Sequence, residues 1–166
     1  YILKDITNKH LLKYMPKNLF SNLILNAAAV KQENHSRWVE KLTFQKRIYI
    51  TINNTDRTLK GAKLLRLANQ LGLGFRGRKA INAQYVDFSQ LASAEHNLFL
   101  GKSEAEKNNR NIYSFYDQAL HGQEVNFSQE TAIRFSNLQK SAFVFHSDNQ
   151  FLNHHNPASA CQTSVH

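Results

Sequence analysis

Two short polar segments carry the side-chain types that proton-transfer chemistry requires. Asp56 closes the run Arg47-Ile-Tyr-Ile-Thr-Ile-Asn-Asn-Thr-Asp56, and His96 lies in Glu95-His-Asn-Leu-Phe, just after Ala83-Gln-Tyr-Val-Asp-Phe-Ser89. Each segment reads as strand, then loop, then polar residue. In an open parallel sheet the loops beyond the carboxyl ends of the strands aim side chains into one crevice, so Asp56 and His96 are expected at the same end. An imidazole can take a hydroxyl proton near neutral pH and return it to a leaving group. A carboxylate can hold that ring in one tautomer and stabilise the imidazolium that forms. Each residue also has a plainer reading. Asn-Asn-Thr-Asp-Arg-Thr is turn and cap chemistry in its own right, and His96 is one of eight histidines.

The elements around this pair follow from periodicity. Residues 1–15 place Ile2, Leu3, Ile6, His10 and Leu11 near helical spacing, with Pro16 as the stop. Leu23 to Leu25, continuing through Asn26 to Val30, suits a strand buried on both faces. Asn34 or Ser36 can cap a short helix carrying Trp38, Val39 and Leu42. Ile48, Ile50 and Ile52 alternate with Tyr49 and Thr51, the composition of a central strand. Thr58 can cap a helix whose Leu64, Leu65, Ala68 and Leu71 form one apolar face, ended by Gly72 and Gly74. Tyr85, Val86 and Phe88 make a third strand. Asn109 can cap a helix with Ile112, Phe115, Tyr116, Ala119 and Leu120 on one side, closed by Gly122; Trp38, Tyr113, Phe115 and Tyr116 read as packing residues.

The order α-β-α-β-α-β-α predicts an α/β fold with parallel strands and helices on both faces. Three strands would leave one long edge, so further strands are expected on the amino-terminal side, from preceding polypeptide or a partner chain. The domain is expected over residues 1–122. Residues 123–166 form an extension with a weak helical pattern at Ala132, Phe135 and Leu138, an apolar run at 142–145, and a polar tail expected to be mobile.

The 166 residues, 42% apolar and 11% aromatic, suffice for one domain with a core. The formal charge is +9. Arg57, Lys60, Lys63, Arg66, Arg76, Arg78 and Lys79 follow one another with no acid between 57 and 79; this reads first as a solvated helix face and loop, and second as a surface for an anion or nucleic acid. Nucleic acid is not the expected partner. Cys161 is alone and cannot form an intrachain disulfide. No window approaches 18 apolar residues and Tyr1-Ile-Leu-Lys-Asp lacks signal-peptide zones, so no membrane span and a soluble, cytoplasmic protein are expected. His154-His155 has no acid or cysteine at ligand spacing, and Gly72-x-Gly74-x-x-Gly77 follows a helix rather than a strand. No metal or cofactor is expected.

Three segments, Leu23-Ile-Leu-Asn-Ala-Ala-Ala29, Tyr49-Ile-Thr-Ile-Asn-Asn-Thr-Asp-Arg-Thr-Leu-Lys-Gly-Ala-Lys-Leu-Leu65, and Val86-Asp-Phe-Ser89 with Glu95-His-Asn-Leu-Phe-Leu100, carry a further signal. They resemble the carboxyl-terminal half of bacterial esterase/lipase-like α/β-hydrolases, a mostly uncharacterised family, over about residues 1 to 122. The resemblance implies that Asp56 is the triad acid and His96 the base, acting on a small ester without a cofactor. Tyr1-Ile-Leu-Lys resembles the helix that follows the family's His-Ser-Met-Gly-Asn nucleophile elbow. The departure is plain: no G-x-S-x-G occurs in these residues, and both oxyanion donors of that fold would also lie upstream. The expectation is therefore the second half of a serine hydrolase, inactive alone, completed by an amino-terminal half in a preceding segment or a separate chain. Its rival is a catalytically silent scaffold or binding module using the basic surface. Were the nucleophile within this chain, Ser89 and Ser93 flank the His96 loop and would be the first hydroxyls to test.

Overall fold

The computed structural model describes residues 2–66, 68–91, 96, 110–127, 133–135 and 143–145. The first helix, α1 (Ile2–Asn8), is shorter than the spacing predicts: His10 takes the left-handed conformation (φ 56°), and the chain continues as a 3-10 turn over Leu11–Tyr14. Histidine is among the few residues that enter that region readily. Strand β1 (Phe20–Leu25) starts earlier and ends earlier than expected. The run 26–30 is loop because the backbone turns at Ala27 (φ 44°), where Thr51 Oγ1 accepts the Ala27 N–H at 3.3 Å and donates to Asn26 Oδ1 at 2.8 Å.

Helix α2 (Ser36–Val39) follows His35, which stands at the cap position without a side-chain cap bond, so neither Asn34 nor Ser36 occupies that role. Strand β2 (Gln45–Ile52) is central, and its alternation divides two cores. Ile48, Ile50 and Ile52 face Trp38, Val39, Leu42 and Leu71, with Leu3 of α1 packed against them. Tyr49 faces Val86, Phe88 and the aromatic side of α4 (Arg110–Leu120), namely Ile112, Phe115, Tyr116 and Ala119. Tyr113 and Leu120, expected on the packed side of this helix, are exposed. Helix α3 (Arg57–Arg66) also departs from its expected face. Leu64 and Leu65 are 76% and 86% exposed, Ala68 and Leu71 lie beyond the helix, and Leu59 is the residue of α3 that enters the interior.

Strand β3 (Ala83–Asp87) pairs in parallel with β2, as β2 does with β1. Two short strands, β4 (Ile133–Phe135) and β5 (Phe143–Phe145), extend the sheet to the order β1-β2-β3-β5-β4, with β5 parallel to β3 and β4 antiparallel to β5. The helical pattern read through Phe135 is thus replaced by strand. Ile133 and Phe135 alternate at the strand period, and the free side of β3 supplies the pairing that local periodicity does not contain. Ala132 and Leu138, like the Asn109 cap, Ser93 and the tail 148–166, lie outside the described residues. Among the described residues β1 pairs with β2 alone. The architecture is α/β with helices on both faces. No described helix is long and apolar enough to cross a membrane.

Candidate active site

The loop leaving β2 is built by its own side chains. Asn53, buried at the end of the strand, donates its N–H to the Gly72 carbonyl at 2.8 Å. Its Oδ1 accepts the Thr55 N–H at 3.1 Å and the Thr55 hydroxyl at 2.6 Å, and its carbonyl accepts the Asp56 N–H at 3.2 Å. This is the Asx-turn chemistry that an Asn two residues before a Thr favours. The chain arrives at Asp56 with the side chain turned inward and fully buried.

Asp56, not Thr58, caps α3. Its Oδ1 accepts the Leu59 N–H at 2.9 Å, three residues into the helix, and its carbonyl accepts the Lys60 N–H at 3.1 Å. The other carboxylate oxygen, Oδ2, lies 2.8 Å from His96 Nδ1. The side chains differ sharply in exposure, 1% for Asp56 and 36% for His96. An ionised carboxylate can only accept, so Nδ1 carries the proton in this bond and the lone pair of the neutral ring is on Nε2. Among the described residues nothing bonds Nε2.

The second loop is tied to the first before either delivers its residue. Phe88 donates its N–H to the Ile52 carbonyl at 2.8 Å, Ser89 donates its N–H to Asp87 Oδ1 at 2.9 Å, and Ser89 Oγ accepts the Asn54 N–H at 2.8 Å. Asn53, Ser89 and Gly72 are site-shaping residues that spacing did not single out in these roles. Gly72, read as a helix terminator, is required by close approach: a Cβ there would sit 2.6 Å from Leu59 Cδ1 and 2.8 Å from the backbone of Ala27 and Ala28. A second polar group lies at the same strand ends, where Asn26 Oδ1 accepts from both Thr51 Oγ1 and the Tyr116 hydroxyl, the latter at 2.5 Å. Burial pushes the Tyr116 hydroxyl above its ordinary range, so it stays a donor. Three elements build this group, and no local motif announces it.

The basic run does not act as one surface. Arg78 pairs with Glu40 at 2.7 Å, and Lys79 lies 5.3 and 4.9 Å from the ring centres of Phe75 and Tyr85. Arg57, Lys60 and Lys63 remain exposed along α3, and Arg76 is exposed in the loop after it.

Compared with protein-family models, curated proteins and solved structures, the chain gives no match in any of the three.

Proposed function

We propose that Asp56 and His96 are the acid and base of a nucleophile–acid–histidine triad, and that the working protein is a serine hydrolase transferring the acyl group of an ester to water. The observation that carries this reading is the 2.8 Å bond from His96 Nδ1 to a buried carboxylate that is itself fixed by a helix cap. The cap oxygen cannot swing toward the ring without releasing the Leu59 N–H, so the acceptor for Nδ1 is held in place. The lone pair on Nε2 is then available to take a hydroxyl proton from a nucleophile and to pass it to the leaving alcohol, while Asp56 stabilises the imidazolium between the two steps.

The nucleophile and the oxyanion donors belong, in this proposal, to an amino-terminal half that joins the free side of β1. The pairing of β1 with β2 alone among the described residues supports that side as the junction. The test is covalent. A fluorophosphonate probe should label the protein carrying that half and should leave the isolated 166 residues unlabelled. Labelling should fall by at least about a thousand-fold in rate in His96→Ala, and Asp56→Asn should lower turnover by about 10⁴, because the ring loses its orienting acceptor. A full-length protein with an intact serine elbow that stays unlabelled would overturn the hydrolase reading and favour the silent scaffold.

A further inference from the structure

On the face of the sheet opposite α4, helices α1 and α2 border a cavity of about 450 Å³. Lys4 and Asn8 come from α1, one turn apart, and Arg37 and Lys41 come from α2 and the turn that continues it, again one turn apart. Lys31 enters from the loop after β1, and the buried residues Val30 and Trp38 complete the wall. Glu33 is the single acid in the lining.

Four cations against one carboxylate is an unfavourable arrangement for an empty cavity, since like charges repel across it. Among the described residues Arg78 pairs with Glu40 and Arg47 with Glu124. Among the described residues none of Lys4, Lys31, Arg37 or Lys41 forms an ion pair. A concave surface lined by one sign of charge concentrates potential on a ligand of the other sign. A guanidinium with three ammonium groups suits a phosphate, which takes a fork from arginine and point charges from lysine. The cavity is of the size that holds a small organic molecule rather than a bare ion. Asn8 and Asn34 in its lining add amide groups that can donate to or accept from hydroxyls.

We propose that the cavity between α1 and α2 binds a small, soluble phosphate ester, its phosphate held by Lys4, Lys31, Arg37 and Lys41 and its organic part set against Trp38. The site is separate from the Asp56–His96 pair and stands whether or not that pair is catalytic.

Trp38 is the single tryptophan of the chain, so its fluorescence reports on this cavity alone. The 166-residue chain is titrated with phenyl phosphate, excited at the red edge of the indole band, at a constant ionic strength of about 0.15 M so that general screening does not change. A saturable change in emission is expected. Binding should weaken by about ten-fold or more in Lys4→Gln/Arg37→Gln and hold in Lys60→Gln/Lys63→Gln, which removes the same charge from α3. Circular dichroism checks that each variant folds, and Lys31→Gln/Lys41→Gln repeats the test with residues from other elements. No saturable change overturns the proposal, as does equal weakening by the α3 pair, which would reduce the effect to net charge. Inorganic phosphate binding as tightly as phenyl phosphate overturns recognition of an ester. Emission that responds to phosphatidic acid vesicles and not to phenyl phosphate overturns the soluble ligand.

Discussion

His35 and His96 hold the same tautomer in opposite surroundings. Nδ1 of His35 donates to the Gln32 carbonyl at 2.7 Å, as Nδ1 of His96 donates to Asp56 at 2.8 Å. In both rings the lone pair is therefore on Nε2. For His35 that lone pair is already engaged: the Tyr85 hydroxyl donates to it at 2.6 Å and accepts the Ala80 N–H at 2.9 Å. Burial pushes the Tyr85 hydroxyl up to about 12, so it remains a donor throughout the neutral range. His35 is buried among Phe75 and Tyr85 with both nitrogens satisfied, whereas His96 is partly open and its Nε2 has no partner among the described residues. The difference separates a histidine bonded at both nitrogens within the core from one bonded, among the described residues, at Nδ1 alone, and it lies in the partner of one atom.

The largest effect that can break this comparison is a double dissociation. His35→Ala removes a fully buried ring and leaves the Tyr85 hydroxyl and the Gln32 carbonyl without their partner, at a cost of about 2–4 kcal/mol. His96→Ala should cost under about 1 kcal/mol, because its ring is partly solvated and the Asp56 cap survives. Urea unfolding of the two variants measures this directly. On the proposed hydrolase reading, the order should reverse for fluorophosphonate labelling of the protein with its amino-terminal half: His96→Ala should lower the labelling rate by at least about a thousand-fold and folded His35→Ala should keep it. Equal stability losses for the two would show that His96 is a structural histidine as well.

How much of this was legible before the fold is uneven, and the reasons are physical. Asp56 and His96 stood out because each follows a β-branched or aromatic strand at a loop, a pattern that depends on local sequence alone. The two readings of Asp56, cap and acid, looked like alternatives, yet one carboxylate oxygen caps α3 while the other accepts from His96, so the first does not exclude the second. His35 was invisible in its role because its second partner, Tyr85, is fifty residues away. The outer face of α3 was misread because helical spacing says that residues share a face and not what lies opposite; Leu64 and Leu65 share theirs with solvent. Strands β4 and β5 were missed because three residues carry little period, and what fixes them is pairing with each other and with β3. The parallel core strands were readable because burial on both faces imposes a composition, while the group at Asn26, Thr51 and Tyr116 needs three elements already in position.

The next effect is in pH. Burial, the dominant influence, lowers the pKa of His35, with the Gln32 carbonyl and the charge of Glu40 opposing it. In the unfolded chain this histidine takes a proton near the ordinary value of about 6.5, and in the folded protein it does so only at lower pH. Between those two values the unfolded state binds more protons, so stability falls as pH drops below about 6.5 and levels off once the folded ring is also protonated. Glu40 works in the same sense from the surface, since the Arg78 bond lowers its pKa. The His35 share is isolated by comparing urea midpoints at pH 7.5 and 5.5 in wild type and His35→Gln. The variant should lose less between the two, and an unchanged difference would mean that the buried ring is not the titrating group.

The smallest effect concerns whether Nε2 of His96 has a hydroxyl to work on within this chain. Ser89 is the described serine closest in sequence to His96, but its hydroxyl oxygen accepts the Asn54 N–H at 2.8 Å and so joins the two loops. That bond is exposed, so water replaces it readily, and Ser89→Ala should cost about 0.5–1 kcal/mol. It should loosen the loop after β2 without removing the cap on α3, which depends on Asp56 Oδ1. Urea unfolding gives the size of the effect, and amide exchange at Asn54 gives its location, since that N–H alone loses its acceptor. The contrasting outcome is chemical. If the isolated 166 residues were labelled stoichiometrically by a fluorophosphonate and Ser89→Ala removed the label, Ser89 would be the hydroxyl that His96 activates, and no amino-terminal half would be needed to complete the triad.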